Sequence, residues 1–208
     1  MITRLVLVCH ASTTATRAAR FPDDEPLDTR GASQAAAASG ALRRIDQVRC
    51  GPERRCRETA TALGLRDLAV DSALADLDVG TWRGKGLAEL EGTDPTALHA
   101  WLTDTSAAPH GGEPLLDLLA RVAGWLDGLR ASHGRIVAVT HASVIRAAVL
   151  HVLQAPPSGF WRLDVAPLSH TVLSSNGGRW TVRQTGHPLL TTPEPQPTTM
   201  DATGPQER

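Results

Sequence analysis

Two segments of this chain end alike. Val6-Leu7-Val8-Cys9-His10-Ala11 and Val137-Ala138-Val139-Thr140-His141-Ala142 each run through apolar residues and one small residue to a His-Ala pair. A lone histidine at a strand end is ordinarily a packed polar side chain. Two in matched contexts point to a shared task. On neighbouring strands the two rings would face each other at the carboxyl edge of a sheet, where parallel sheets bind ligands. An imidazole there can act as a nucleophile and split a group transfer into two steps through a covalent intermediate. Such chemistry needs cations for a charged substrate and a carboxyl group that gives and takes a proton. The arginines at 54, 55 and 57 and the carboxylates Asp76, Asp78 and Glu113 are candidates for these jobs.

The surrounding pattern supplies elements that would hold these residues. Arg4 to Val8 is a continuous apolar run that reads as a buried parallel strand. Ile136 to Val139 within Arg135–Thr140 reads the same way, with a helix over Ser143–Leu153 directly after it. Val48–Cys50 is a short strand stopped by Gly51-Pro52, and Glu53–Leu63 is a helix ended by Gly64. An alanine-rich helix is expected over Gly31–Ile45. Pro114–Arg130 carries Leu115, Leu118, Leu119, Val122, Trp125, Leu126 and Leu129 at three- and four-residue steps, the clearest amphipathic helix of the chain. Short helical pieces fall at Leu87–Glu91 and Pro95–Leu102, an extended stretch at Asp71–Leu77 and a loop at Gly80–Gly86. Ala11–Asp28, with two prolines, reads as a long loop. Phe160–Val165, Thr171–Ser174 and Arg179–Arg183 read as strands, the last two joined by a hairpin at Asn176-Gly177-Gly178. Strands and helices alternate, which predicts an α/β three-layer sandwich: a mainly parallel central sheet with helices on both faces.

Composition narrows the function classes. The chain has 208 residues, 41% hydrophobic and 21% charged, with a formal net charge of −1. No bulk field draws it to nucleic acid or an anionic membrane, so an anion site must be local. Arginine supplies nearly all the basic charge, with Lys85 the only lysine. Cys9, Cys50 and Cys56 are odd in number and lack paired spacing, which argues against a disulfide framework; no zinc-ligand pattern is present. The N-terminal apolar run is too short for a signal peptide and no run is long enough to span a bilayer, so the expected location is the cytoplasm. One domain is expected over residues 1–187, followed by a disordered tail over 188–208, rich in Pro, Thr and Gln.

Six segments resemble the histidine phosphatase superfamily, the group of the cofactor-dependent phosphoglycerate mutases. Leu7-Val8-Cys9-His10-Ala11-Ser12-Thr13 is similar to its Arg-His-Gly-Glu-Thr signature. Asp24 to Ala35 resembles D-x-P-L-T-x-x-G-x-x-Q-A, and Gly51 to Ala60 resembles S-x-L-x-R-A-x-x-T-A. Leu74 to Gly84 resembles L-x-E-x-x-x-G-x-W-E-G, Gly111-Gly112-Glu113 a G-G-E segment, and Thr140 to Arg146 S-H-G-G-V-I-R. All six occur in family order. The resemblance implies a phosphoglycerate mutase-like fold and a metal-independent phosphohydrolase without cofactor. It implies that His10 is the phosphoryl-accepting nucleophile, that His141 donates to phosphoryl oxygens, and that Arg55 grips phosphate through its planar fork. It places Asp76 at the position of the acid–base Glu, with Asp78 and Glu113 as competitors. Thr16, Arg17 and Ala142 complete the expected phosphate site, the last through backbone donors at the start of its helix. The implied partner is a small phosphorylated metabolite, with no nucleic acid and no membrane; a homodimer is left open.

The departures bear on activity. Cys9 stands in place of the signature's arginine, Ala11 and Ala142 replace glycines, Thr16 stands where many members have Asn, Gly51 replaces a Ser and Arg83 a Glu. Losing the arginine removes a charge-assisted contact worth roughly 1.5–3 kcal/mol. Three readings follow: Arg17 or Arg20 folds back to supply the charge, the pocket takes a less charged ligand, or the chain is a pseudophosphatase that binds a phosphorylated ligand or a protein. Cys9 as a nucleophile is disfavoured, since a cysteine in an apolar strand is ordinarily a small buried residue. Phosphomonoester hydrolysis is expected over mutase action, because no long insertion is present to build a lid.

Overall fold

The strand β1 (Ile2–Cys9) occupies an inner position of a six-stranded sheet in the computed structural model, which describes residues 2–189. With β2 (Gln47–Cys50), β3 (Leu68–Val70), β4 (Gly134–Thr140), β5 (Ser169–Asn176) and β6 (Arg179–Pro188), the order is β3-β2-β4-β1-β5-β6. β3, β2, β4 and β1 are mutually parallel, while β5 runs antiparallel to both neighbours. Successive side chains of a strand point to opposite faces, and β1 shows why both faces are covered. Leu5, Leu7 and Cys9 join Ile136 and Ala138 in one core; Val6 and Val8 join Val137 and Val139 in the other.

On the first face lie α4 (Leu87–Thr93), α5 (Pro95–Thr103), α6 (Leu115–Gly128) and α7 (Ala142–Leu153); on the second lie α2 (Thr29–Ala37) and α3 (Arg54–Ala62). The expected three-layer α/β sandwich is therefore the architecture. The apolar stripe of α6 does what its spacing requires: Leu115, Leu118, Val122 and Leu126 are buried. Each such side chain contributes about 1.5–3 kcal/mol by leaving water. The β5–β6 hairpin turns through Gly177 and Gly178 at φ of 62° and 83°, as a two-residue turn of this hand requires.

Several local expectations are corrected. Phe160–Val165 is not a strand. Pro157–Arg162 is a 3₁₀ segment, begun by the Pro156-Pro157 pair and burying Phe160. Asp71–Leu77 is interrupted by a 3₁₀ turn at Ser72–Leu74, capped by the Asp71 carboxylate. The helix expected to Ile45 stops after Ala37, ahead of Gly40 at φ 77°. The long loop contains one short helix, α1 (Thr14–Arg17). β6 runs through Pro188, and the Leu189 N–H donates to the Leu168 carbonyl. The rest of the expected tail, 190–208, lies outside the described residues.

Candidate active site

Four parallel strands deliver the candidate groups to one edge. β1 ends in His10, β4 in His141, β2 leads through Gly51-Pro52 to Glu53 and Arg55, and β3 leads to Asp76. Register explains the pairing of the histidines. Cys9 lies opposite Thr140, and the His10 N–H continues the ladder to the Thr140 carbonyl at 2.9 Å. The two imidazoles meet edge to face with ring centroids 5.2 Å apart.

His10 is buried and neutral. Burial comes first in holding its pKa down to about 3, followed by the charges of His141 and Arg55. Its Nδ1 lies 2.8 Å from the Ala11 carbonyl. A carbonyl only accepts, so Nδ1 carries the proton and Nε2 keeps a free lone pair. The segment after His10 is held from two sides. Thr59 Oγ1 accepts from the Ala11 N–H at 3.0 Å, and Asp28 accepts from Ser12 Oγ and from the Gly31 N–H that begins α2. Gly31 is required there because a Cβ would collide with the Ser12 backbone.

Asp76 sits among the site's cations. Its Oδ2 accepts from Arg55 Nη2 at 2.8 Å and lies 3.3 Å from His141 Nδ1, while Oδ1 accepts from Ser143 Oγ at 2.5 Å. Burial opposes its ionisation. The charge and hydrogen bond of His141, then Arg55 and Ser143, outweigh burial and hold the carboxyl well below its usual range. Arg55 is almost fully buried at 2% exposure, and its Nε–H has no hydrogen-bond partner among the described residues. On the other side of the His141 ring, Nε2 lies 2.7 Å from Glu53 Oε2 and 3.2 Å from Cys56 Sγ. Burial alone would discharge His141; Cys56 and Asp76 together raise its pKa well above the ordinary histidine value.

The remaining expected site residues divide. Thr16, Arg20 and Ala142 line a cleft of about 190 Å³ with Cys9, His10, Asp76 and Ser143. Arg17 does not line it; its guanidinium is exposed and turned 3.7 Å from Asp28, so of the two loop arginines Arg20 stands nearer the histidines. Arg20 is itself engaged with the Gly84 carbonyl at 2.9 Å. Glu113 is clamped by Arg121 through both carboxylate oxygens, at 2.9 and 2.8 Å, and does not line this cleft. Asp78 is paired with Arg83 on the surface. Cys9 is buried, and its burial pushes the thiol up to about 12, so it is a neutral wall of the cleft. The sequence reading missed Glu53, Ser143 and Thr59. Glu53 had a signal, since a carboxylate stands where the resembled segment has leucine.

Among the described residues, Glu53, Cys56 and His141 bring three potential ligand atoms within 4.8 Å of one another. The donor set does not fit an ion as it stands. Two ligands on one tetrahedral zinc stand roughly 3.3 Å apart given bonds of about 2.0–2.1 Å, whereas Glu53 Oε2 and His141 Nε2 are at hydrogen-bond distance. A larger cleft of about 620 Å³ between Ser39 and Ala69 holds no comparable cluster of histidines and carboxylates. No helix among the described residues is long and apolar enough to cross a membrane.

Two histidines on neighbouring strand ends of a sheet of this order fit a phosphate-ester site, and the chain belongs to the histidine phosphatase superfamily: residues 5–187 match the model of its branch 1. Its relatives include the bifunctional protein Rv2228c of Mycobacterium tuberculosis, 33% identical over 200 residues, covering 89% of this chain and 55% of that protein. The chain thus spans about half the length of the curated relatives it matches first. It is 31% identical over 195 residues to the glucosyl-3-phosphoglycerate phosphatase of the same species, covering 85% of this chain and 86% of the relative. A solved structure of mycobacterial glucosyl-3-phosphoglycerate phosphatase, Rv2419c with VO3, superposes with a TM-score of 0.78 at 30% identity, covering 88% and 98% of the two chains.

Proposed function

We propose that this chain hydrolyses phosphomonoesters of a small metabolite through a phosphohistidine on His10. The observation that carries the reading is the His10 ring. Its Nδ1 is committed to the Ala11 carbonyl, its Nε2 lone pair is free, and its low pKa keeps it neutral at physiological pH. In the first half-reaction His10 Nε2 attacks phosphorus, the N–P bond forms and the ester P–O bond breaks. As the phosphate takes its place beside Arg55 and His141, the freed Asp76 carboxyl takes up a proton and gives it to the leaving oxygen, while His141 keeps its charge. In the second, a water oxygen attacks phosphorus, the N–P bond breaks, and the water proton passes to the Asp76 carboxylate.

The charge on the transferring group spreads over three oxygens, so the site needs cations around it. Arg55, with its unpartnered buried Nε–H, and the imidazolium of His141 serve, and the start of α7 at Ala142 adds backbone donors. Asp76 Oδ2 occupies the position between these two cations that a phosphoryl oxygen would take. Relatives named as glucosyl-3-phosphoglycerate phosphatase and phosphoserine phosphatase support a phosphorylated organic acid as the substrate class.

The deciding experiment incubates wild-type and His10→Ala protein with a ³²P-labelled phosphodonor. Acid-labile, alkali-stable label on the wild type and none on the variant is expected. One observation favours a second reading, a pseudophosphatase: Cys9 leaves the cleft with a neutral thiol where the resembled signature has a cation. Phosphate binding by a wild type that neither labels nor hydrolyses would establish that reading in place of ours.

A further inference from the structure

Around the ring of His141, three of this chain's departures from the resembled segment fall at one point. Gly51 stands for its Ser, Glu53 for its Leu and Cys56 for its Ala. The geometry explains their coincidence. Glu53 Oε2 reaches His141 Nε2 at 2.7 Å and Cys56 Sγ lies at 3.2 Å. A Cβ on Gly51 would stand 3.1 Å from Glu53 Oε2, 3.2 Å from His141 Nε2 and 2.9 Å from the Leu74 carbonyl, so any larger residue presses on the contact. The other oxygen of Glu53, Oε1, accepts from the Asp76 N–H at 2.9 Å. One carboxylate therefore holds both the ring of His141 and the backbone of Asp76.

We propose that Glu53 is a positioning residue of this site: it fixes His141 as a cation, and that cation takes the electrostatic place left by the arginine absent at position 9. The inference rests on the hydrolase reading above. Glu53 Oε2 lies 2.7 Å from Nε2 and Asp76 Oδ2 3.3 Å from Nδ1, so a carboxylate, which only accepts, faces each ring nitrogen, and only the imidazolium presents a proton to both. The coupling is reciprocal. Burial works against ionisation of Glu53, yet its bond to His141 and the charge of that ring hold the carboxyl below its ordinary value. By linkage the same interaction raises His141. Cys56, with Sγ at 3.2 Å from the same nitrogen, and Asp76 also raise His141, Cys56 the more. The other charged or titratable groups facing the ring are Cys50 at the end of β2, Arg55 of α3, Cys9 and His10 from β1 and, through Asp76, Arg146 of α7. The carboxylates at the ring are Glu53 and Asp76, and Asp76 must turn to phosphate chemistry during turnover. Glu53 does not; it keeps the charge on His141 when Asp76 moves.

The test uses ¹⁵N-histidine-labelled full chain. In wild type, both His141 nitrogens should be protonated through pH 8. Glu53→Gln should lower the His141 midpoint by about 1–3 units, the usual effect of one close opposite charge. The upper pH limit of kcat/KM for phenyl phosphate should fall by the same amount. At pH 8 the variant should lose roughly tenfold or more, with rates near wild type at pH 6. Glu53→Asp should restore part of the upper limit. A merely structural role would lower activity at every pH and leave the midpoint in place. A neutral His141 in wild type at pH 7, or an unchanged pH profile in Glu53→Gln, overturns the inference while leaving hydrolysis standing. If no ester is hydrolysed the hydrolase reading falls, and the ring titration still decides whether Glu53 holds the charge. If Glu53→Gln fails to fold, the wild-type titration and Glu53→Asp carry the decision.

Discussion

Asp76→Asn should separate chemistry from binding in this site. The side chain keeps its shape, and it loses the charge that faces Arg55 at 2.8 Å and His141 at 3.3 Å. Removing one member of a buried ion pair costs about 3–5 kcal/mol. Asp76 retains 21% exposure, which places the loss nearer 2–3 kcal/mol after solvent screening. In a chain of this length each kcal/mol moves Tm by about 2–4 °C, so roughly 5–10 °C is expected. The sign with pH follows from the direction of the shift. Asp76 is depressed in the fold, so its ionisation stabilises above the unfolded carboxylate range and that contribution fades as pH falls through the folded value. Wild type and variant should therefore converge in stability under acid. Inorganic phosphate should raise the Tm of Asp76→Asn more than that of wild type, since the dianion then meets Arg55 and His141 without a competing carboxylate. In turnover, an alkyl phosphate should lose about 10²–10⁴-fold and p-nitrophenyl phosphate much less in its first step, because the nitrophenolate leaves without protonation. Phosphoenzyme should accumulate with the activated ester. Equal losses with both esters, or no loss with either, would refute the assignment of Asp76.

Other perturbations test the surrounding assignments. His10 should show no ring titration between pH 5 and 8 by NMR, since burial and its cationic neighbours hold it neutral down to about pH 3; because the unfolded ring protonates first, acidification below about pH 6.5 should draw stability out of the fold. Glu113→Gln should lower Tm by loosening Arg121 while leaving the ratio of alkyl to aryl phosphate rates unchanged; a changed ratio would move the acid–base role to Glu113. Cys9 and Cys50 should resist iodoacetamide at pH 8 without denaturant, as burial pushes both thiols up to about 12, and mass spectrometry of the native protein would detect any alkylation.

Much of this arrangement was legible in residue order. β1 and β4 announce themselves because strands buried on both faces must be apolar throughout, and the matched His-Ala endings point to one sheet edge. α6 is legible because one face must enter the core. β3 was missed for the converse reason: it is a three-residue edge strand whose Ala69 and Val70 are exposed. The Phe160 segment misled because its aromatic and apolar residues suit a strand, while the preceding prolines set a 3₁₀ path. Glu53 was read only as the start of a helix. Its partner His141 lies 88 residues away, and no local pattern carries a contact of that range. Arg17 and Arg20 were indistinguishable for a similar reason: tertiary partners, Asp28 for one and the Gly84 carbonyl for the other, decide where each guanidinium lies.

The clamp built by Arg121 has a consequence for timing. Its guanidinium donates to the carbonyls of Ala73, Ala75 and Asp76 while Glu113 grips it from the other side, so the backbone that carries the acid is tied at several points to α6. A segment held this way cannot swing as a flap. Freeing the Asp76 carboxyl from Arg55 and His141 is then a rotation about side-chain bonds. Rotamer changes run on picosecond to nanosecond scales when exposed, and collective loop movements on microseconds to milliseconds. On the proposed reading, turnover should therefore start without a slow opening phase, its pace governed by bond making and breaking or by departure of phosphate.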